Sequence, residues 1–370
     1  MSKLNSLQAF RCLGLTGVVI GHMTFAEEKY AGLSLLPAAI KDFNQLFIDW
    51  FFVVSGFIMV MVSRGRFQVP REIVKFAYAR VARIYPPYWV YFFITLAVFL
   101  IMPAWVNSGH DQPNLWKSFF LIPDENLPLV MVAWSLIFEM WFYLVFTSLM
   151  LCRERYLPWI LAGWAGLIIC ANLVLDTASL NPFLRLILHP YAVEFVLGSM
   201  IALFYFSPAS ERVSSRLALG MLLFVPLVGV PVGYTYGLFR GEGLVRVFSL
   251  GCLFGLLTMG ATLLERRGLL RVPGFMVAIG DSSYTTYLSH LLVLGVVGKC
   301  WVLFGPSSPS VPGNVVLLVL MFTAVMVYGL VGFRLIEEPL MNGANRLGKR
   351  LFSRKPAQED TAKLSVKPAK

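Results

Sequence analysis

The stretch "LQAFRCLGLTGVVIGHMTF", Leu7–Phe25, places Arg11 and His22 at either end of ten uninterrupted uncharged residues. A run this apolar and this long reads as a membrane-spanning helix, which needs about 20 predominantly apolar residues. Eleven positions separate the two side chains. At about 100° per residue they return to nearly the same helix face, with about 16 Å of rise between them. One stripe of one helix therefore carries a fixed cation near its start and an imidazole near its end.

The rest of the chain is of the same kind. Its 370 residues are 58% hydrophobic and only 14% charged, with a mean hydropathy of +0.72, far more apolar than a soluble domain. About ten spans are expected, near 5–25, 44–63, 84–103, 128–150, 158–175, 190–206, 216–235, 244–264, 283–304 and 312–335. The fold class is all-α, a polytopic integral-membrane bundle. The first span begins like a signal peptide, but no small-residue cleavage motif follows, so it is read as a helix of the mature protein.

Cytoplasmic loops retain lysine and arginine. With both termini cytoplasmic, the inner segments hold Arg64, Arg66, Arg71, Lys75, Arg80, Arg83, Arg153, Arg155, Arg212, Arg216, Arg266, Arg267 and Arg271, and the outer segments hold few, Lys117, Arg185, Arg246 and Lys299 among them. The net charge of +11 is thus a matter of topology and anionic lipid. No soluble basic domain is present, which argues against nucleic acid as a partner. Five scattered cysteines lack metal-ligand spacing, so free thiols packed as small apolar residues are expected and no metal. Trp105 and Trp116, in the long outer loop, suit headgroup depth. Residues 1–343 form the membrane domain, and the polar, basic residues 344–370 read as a disordered cytoplasmic tail.

Ionisable residues inside a span are costly, about 2.5–3.5 kcal/mol on insertion scales, and usually face the bundle interior or a water-filled path. Arg11 at the cytoplasmic headgroups and His22 in the outer interface would be the plain explanation of either alone. Other polar residues recur in comparable settings. In "FIDWFFVVSGFIMVM" Asp49 should lie at about the depth of His22 and could orient its ring, while Ser55 and Gly56 suit close helix packing. In "ARVARIYPPYWV" Arg80 and Arg83 share one face just before a span whose entry is marked by Pro86 and Pro87, and paired guanidiniums there suit a phosphate-bearing ligand. "WSLIFEMWFYLVF" holds Glu139 within a span, after Trp134 and Ser135. Glu194, in "HPYAVEFVLGS", is a weaker case of the same kind. In "IGDSSYTTYLSHLLVLG" Asp281, Ser282 and Ser283 suit a helix cap; Tyr284, Tyr287 and His290 share a face, and His290 is deep enough to need a polar partner. Pro339, in "RLIEEPL", is expected to stop the last helix.

Taken in order, "DWFFVVSGF", "ARVARIYPPYW", "WSLIFEMWFYL", "FVLGSMIA", "GDSSYTTYLSH" and "IEEP", together with the Arg11 to His22 spacing, resemble the acyltransferase 3 family of integral-membrane acyltransferases, up to about residue 343. Within it the sequence looks most like the bacterial branch that decorates exopolysaccharide. The resemblance implies about ten helices in the bacterial inner membrane, an acyl-CoA donor from the cytoplasm, a carbohydrate hydroxyl as acceptor and no bound cofactor. It points to Arg11 and His22 as the functional pair, Arg80 and Arg83 as a donor-side pair, and Glu139 and Tyr284 as further pathway residues. Some members add an extracytoplasmic esterase-like domain; without one, this chain is expected to act alone or to pass its acyl group to a partner such as the polysaccharide export machinery. Acetyl is the default acyl group.

On this basis coenzyme A phosphates are expected on Arg80, Arg83 and Arg11, with His22 as general base and Asp49 behind it. A covalent acyl-enzyme on Tyr284, His22 or a serine is the other route. A transporter or flippase for a glycan precursor, with Arg11, His22, Asp49 and Glu139 as its relay, is the competing class of function.

Overall fold

The computed structural model describes residues 4–106, 111–241, 243–306 and 308–352, without the side chains of residues 42–44. Ten helical segments are long and apolar enough to cross a membrane. They are α1 (Asn5–Tyr30); α2 (Phe43–Ser63); α3 (Pro70–Ile101); α5 (Trp134–Leu149), after a short surface helix α4 (Leu115–Phe120); α6 (Leu157–Val174); α7 with α8 (Pro182–Leu188, Tyr191–Tyr205); α9 with α10 (Ser215–Phe224, Val230–Thr235); α11 (Leu244–Arg266), followed by α12 (Gly274–Asp281); α13 (Ser283–Phe304); and α14 with α15 (Val311–Gly332, Glu338–Leu351). No strand occurs among the described residues.

The polarity of a soluble protein is inverted. Leu144, Leu167, Val174, Val296, Phe304 and Val327 are exposed on the outside, whereas Asp49, Glu194, Arg246 and His290 are buried. With lipid outside there is no hydrophobic drive between helices, and close packing and buried polar pairs hold them together instead. At the crossing of α2 and α8, a Cβ on Gly198 would lie 1.9 Å from the Val53 carbonyl oxygen, and one on Gly56 would lie 2.0 Å from that of Phe195. The Ser199 hydroxyl donates to the Gly56 carbonyl at 3.1 Å across the same contact. Gly198→Ala should therefore push two backbones apart and cost about 1–3 kcal/mol, read as a lower thermal unfolding midpoint in detergent. Gly163→Ala, whose added Cβ meets nothing within 4 Å, should leave the midpoint unchanged; equal midpoints for the two variants would contradict this account of the crossing.

Helix α1 is central, packed on α2, α12 and α13, and both its ends are held by carboxylates from elsewhere or from itself. Leu4 offers no side-chain cap. The Glu265 carboxylate of α11 takes over, accepting from the backbone N–H of Asn5 at 2.7 Å and of Ser6 at 2.8 Å, a favourable charge at a helix N-terminus. At the far end buried Glu27 accepts from Leu35 N–H at 2.7 Å, Leu36 N–H at 3.1 Å and the Asn314 amide of α14 at 2.7 Å. The helix that carries Arg11 and His22 is thus pinned at both ends.

Four local expectations change. Helix α3 begins at Pro70 and runs through Pro86 and Pro87, so these prolines do not mark its entry and Arg80 and Arg83 lie within the helix. The aromatics beside them serve the loop that follows: Tyr85, Tyr88 and Trp89 donate to the carbonyls of Phe120 (2.8 Å), Ser118 (2.5 Å) and Phe119 (3.1 Å). They satisfy the end of α4, which folds back against the middle of α3. Pro339 does not stop the last helix, because a π-helical turn at Phe333–Glu337 precedes it and shifts the bonding register, leaving Pro339 in the first turn of α15. The tail is helical through Leu351, and Tyr78 of α3 donates to the Ala344 carbonyl at 2.7 Å; residues 353–370 lie outside the described residues. Finally, Cys12 is buried but Cys152, Cys170, Cys252 and Cys300 are exposed free thiols: Cys152 lies in the loop after α5, and the other three sit on outward faces of α6, α11 and α13.

Candidate active site

Helix periodicity carries Arg11 inward from α1, one turn after Gln8, whose side-chain oxygen accepts from the guanidinium at 3.3 Å. Facing it, Arg80 and Arg83 project from α3, and Glu139 and Tyr143, one turn apart, from α5. All five line one cavity of about 280 Å³, with Gln8, Ser55, Ser135, Ser283, Tyr284 and Tyr287. The Tyr143 hydroxyl donates to Glu139, and Ser55 lies 3.5 Å from the same carboxylate. The Arg80 guanidinium sits over the rings of Phe76 and Tyr143, at 5.4 and 5.7 Å from their centroids, and its buried Nε has no hydrogen-bond partner. Three guanidiniums against the Glu139 carboxylate in the lining and the buried Glu337 behind it leave this cavity a surplus of positive charge. Ile48, Phe51, Phe52, Val54, Ile58 and Leu136 form its apolar walls. Such a chamber suits a ligand with an anionic head and a slender, less polar arm.

Tyr284 reaches this chamber from α13, and its hydroxyl donates to the Ile84 carbonyl at 2.8 Å, in the proline-bearing turn of α3. One turn further along α13, the Tyr287 hydroxyl lies 2.7 Å from that of Ser135 and donates to the Val132 carbonyl at 2.8 Å. Ser135 and Tyr287 line the first cavity, and Val132 lines a second. This hydrogen-bonded trio is therefore a septum between two chambers.

The second chamber, of about 440 Å³, is lined by His22, Phe25, Lys29 and Tyr30 of α1, by Trp105, by Met131 and Val132, and by Leu288 and Leu291 of α13. His22 Nδ1 lies 3.0 Å from the Val18 carbonyl oxygen. A carbonyl can only accept, so Nδ1 carries the ring proton and Nε2 is left as the basic nitrogen of the neutral ring. His290, buried on α13, places its Nε2 3.4 Å from that same Nδ1 and its Nδ1 2.7 Å from the Tyr287 carbonyl oxygen. The depth of His290 thus has the polar partner that its position required, and that partner is His22.

The fold brings Arg11, Arg80, Arg83, Glu139, Ser135 and Tyr284 to one chamber and His22 to the next. Other candidates go elsewhere. Asp49 does not stand behind His22: its Oδ2 accepts from Arg246 Nη2 at 2.5 Å, and both side chains are buried. Arg246 also donates to the Gly241 carbonyl at 3.1 Å, and Glu194 of α8 faces Asp49 in the same cluster. Asp49 and Glu194 line neither chamber; similar depth in the membrane did not imply the same side of α2. Trp134 packs against Phe138 and Tyr191, at 6.0 and 6.1 Å between ring centroids, and also lines neither. Ser282 makes no cap bond to the start of α13; its hydroxyl donates back to the Ile279 carbonyl at 3.1 Å.

Two further residues belong to these clusters. Tyr143 is signalled in the sequence only by its four-residue spacing from Glu139. Arg246, which the charge pattern reads as an outer-segment residue, falls inside the span 244–264 and is buried. Among the described residues no group of three or more His, Cys, Asp or Glu is placed to hold a metal ion.

Comparison with known proteins agrees with this arrangement. A family described as an acyltransferase domain matches residues 4–332. The exopolysaccharide production protein ExoZ of Rhizobium meliloti (strain 1021) is 31% identical over 312 residues, covering 80% of this chain and 88% of that protein. No solved structure matches. Ten membrane-capable helices, two chambers strung along the Arg11–His22 helix and a match that spans nearly the whole bundle lead to one conclusion: the chain belongs to the acyltransferase 3 family of membrane acyltransferases.

Proposed function

We propose that this protein transfers an acyl group, with acetyl as the default, from acyl-CoA bound at the Arg11 chamber to a hydroxyl of a carbohydrate bound at the His22 chamber, in the making of an exopolysaccharide. The observation that carries the reading is the pair of chambers on either side of the Tyr287–Ser135–Val132 septum, cationic on one side and histidine-bearing on the other. The name of the ExoZ relative supports the carbohydrate side.

In this reading the first chamber opens to the cytoplasm of a bacterial cell, in keeping with the arginine-rich segments on that side of the bundle. Arg80, Arg83 and Arg11 hold the phosphates of the donor, and the apolar walls guide its pantetheine arm toward the septum. Parting the septum brings the thioester to His22. The Nε2 lone pair then takes the proton of the sugar hydroxyl as the oxygen attacks the thioester carbonyl carbon. The C–S bond breaks, the ester forms, and the imidazolium returns its proton to the departing thiolate. No further reactant is needed, and His22 ends as it began.

Inverted membrane vesicles containing the protein, a carbohydrate acceptor and acyl-CoA labelled in the acyl group test this. Label is expected to become ester-linked to sugar, released by mild base, when the donor is supplied at the cytoplasmic face. Label that reaches sugar only from the other face would reverse the proposed orientation. Passage of an unmodified glycan without any labelled ester would instead support a transporter.

A further inference from the structure

The arrangement around His22 goes beyond a lone base in a chamber. The Nδ1 atom of His22 meets two acceptors. One is the Val18 carbonyl oxygen at 3.0 Å, in its own helix; the other is Nε2 of His290 at 3.4 Å, across the interface from α13. The His290 ring is itself constrained. Its Nδ1 lies 2.7 Å from the Tyr287 carbonyl oxygen, which can only accept, so that nitrogen bears the proton and Nε2 carries the lone pair. The rings lie 4.9 Å apart at an interplanar angle of 63°, edge toward face. His290 is fully buried within α13, and the backbone it grips belongs to Tyr287, whose hydroxyl is part of the septum.

We propose that His290 is a positioning residue for His22. Its unprotonated Nε2 receives the Nδ1 proton of His22, which holds the His22 ring in one tautomer and one plane and leaves Nε2 of His22 as the base. The Val18 carbonyl alone restrains the ring weakly, since it is a backbone acceptor of the helix and lies on the same element; the contact from α13 supplies a second, external restraint. The order runs from the Tyr287 carbonyl through His290 to His22, with a neutral imidazole in the place a carboxylate takes in a Ser-His-Asp triad. The same contact gives the imidazolium formed during transfer an acceptor for its Nδ1 proton. Because His290 grips Tyr287, the orientation of the base is coupled to the residue that closes the septum.

This inference rests on the reading of His22 as the base, and the two can fail separately. The full-length protein in lipid nanodiscs, labelled with ¹⁵N-histidine, has four histidines, and the His22 signal is assigned by its loss in His22→Gln. In the unsubstituted protein both His22 and His290 are expected as Nδ1–H tautomers; a His290 found with its proton on Nε2 overturns the proposal without any variant at that site. His290→Leu should give mixed His22 tautomers and lower kcat about ten- to a hundredfold, the range typical of outer partners that orient functional histidines, with KM for acyl-CoA unchanged. His290→Gln, whose side-chain oxygen can accept the same proton, should recover most of both. An unaltered His22 spectrum in His290→Leu, or a glutamine variant as impaired in kcat as the leucine one, overturns the proposal. If instead His22→Gln itself retains full transfer, the catalytic reading of His22 fails while the tautomer assignment stands.

Discussion

His22→Ala is expected to leave insertion and folding intact and to lower the rate of acyl transfer about 10²–10⁴-fold, the usual contribution of a positioned general base. The structural cost should be small because the side chain, though largely buried, borders a chamber and its polar contacts are few: one to the Val18 carbonyl of its own helix and one to His290. Neither contact joins α1 to its structural anchors. Those are the Glu265 carboxylate at one end and the Glu27 carboxylate at the other, and the substitution reaches neither. The loss should therefore fall on kcat. On the proposed assignment of the donor's phosphates to Arg11, Arg80 and Arg83 in the other chamber, KM for acyl-CoA should be nearly constant. Single-turnover transfer from labelled acyl-CoA, with purified variant and wild-type protein of equal thermal midpoint, measures this. A rate within threefold of wild type would remove His22 from the chemistry.

Arg246→Met is expected to destabilise the bundle by about 3–5 kcal/mol, the cost of removing one partner of a buried ion pair. Asp49 and Arg246 are respectively 0% and 3% exposed, which leaves water no access to the carboxylate once its cation is gone. Glu194 adds to the problem. Its two carboxyl oxygens have no hydrogen-bond partner, and it faces Asp49, so the variant would bury two carboxyl groups side by side. The cluster joins α2, α8 and α11, close to the crossing of α2 and α8, and α2 also lines the first chamber. Asp49→Asn combined with Arg246→Met removes both charges and should recover at least half of the lost stability, because replacing a buried pair altogether is far less costly than leaving half of it. Thermal unfolding of the two variants in detergent decides the matter; a double variant no more stable than Arg246→Met would show that the pair is not what joins these helices.

Much of the candidate site was readable because membrane insertion penalises polar side chains one residue at a time. A carboxylate, imidazole or guanidinium within an apolar run stands out without any knowledge of its neighbours. Arg11, His22, Glu139 and His290 stand out in this way, and the first two are placed on one face by helix geometry alone; Arg80 and Arg83 stand out as a pair on one face beside a span, and Tyr284 through its spacing from His290 and the family resemblance. Partnership was a different matter. Asp49 and His22 are expected at similar depth, yet depth is only one coordinate; the rotation of α2 turns Asp49 toward Arg246 of α11, about two hundred residues away in the chain. Tyr143 is not legible in the sequence, since a tyrosine in a span is ordinary until its hydroxyl is seen on Glu139; Tyr287 is placed on the face of His290 by spacing, but its bonds to Ser135 and Val132 belong to the fold.

Backbone continuity differs from the sequence reading at three prolines. Pro86, Pro87 and Pro339 each remove one helical hydrogen bond, a local fact that reads as a boundary. In the folded bundle the π-turn before Pro339 and the packing around Pro86 and Pro87 allow the helix to continue, as membrane helices do when neighbouring groups satisfy the freed backbone.

By itself the sequence determined that this chain crosses a membrane about ten times, that its polar residues must turn inward, and that Arg11 and His22 share one stripe of the first helix. Those conclusions depend on quantities additive along the chain: hydropathy, charge and the 100° step of a helix. Only the tertiary structure decided that the stripe spans two chambers rather than one, that Tyr287, Ser135 and Val132 stand between them, and that His22 is backed by a histidine instead of an aspartate. Those depend on how each helix is rotated and crossed against its neighbours, which is set by packing at contacts such as Gly56 with Phe195 and Gly198 with Val53, between residues that the linear sequence keeps far apart.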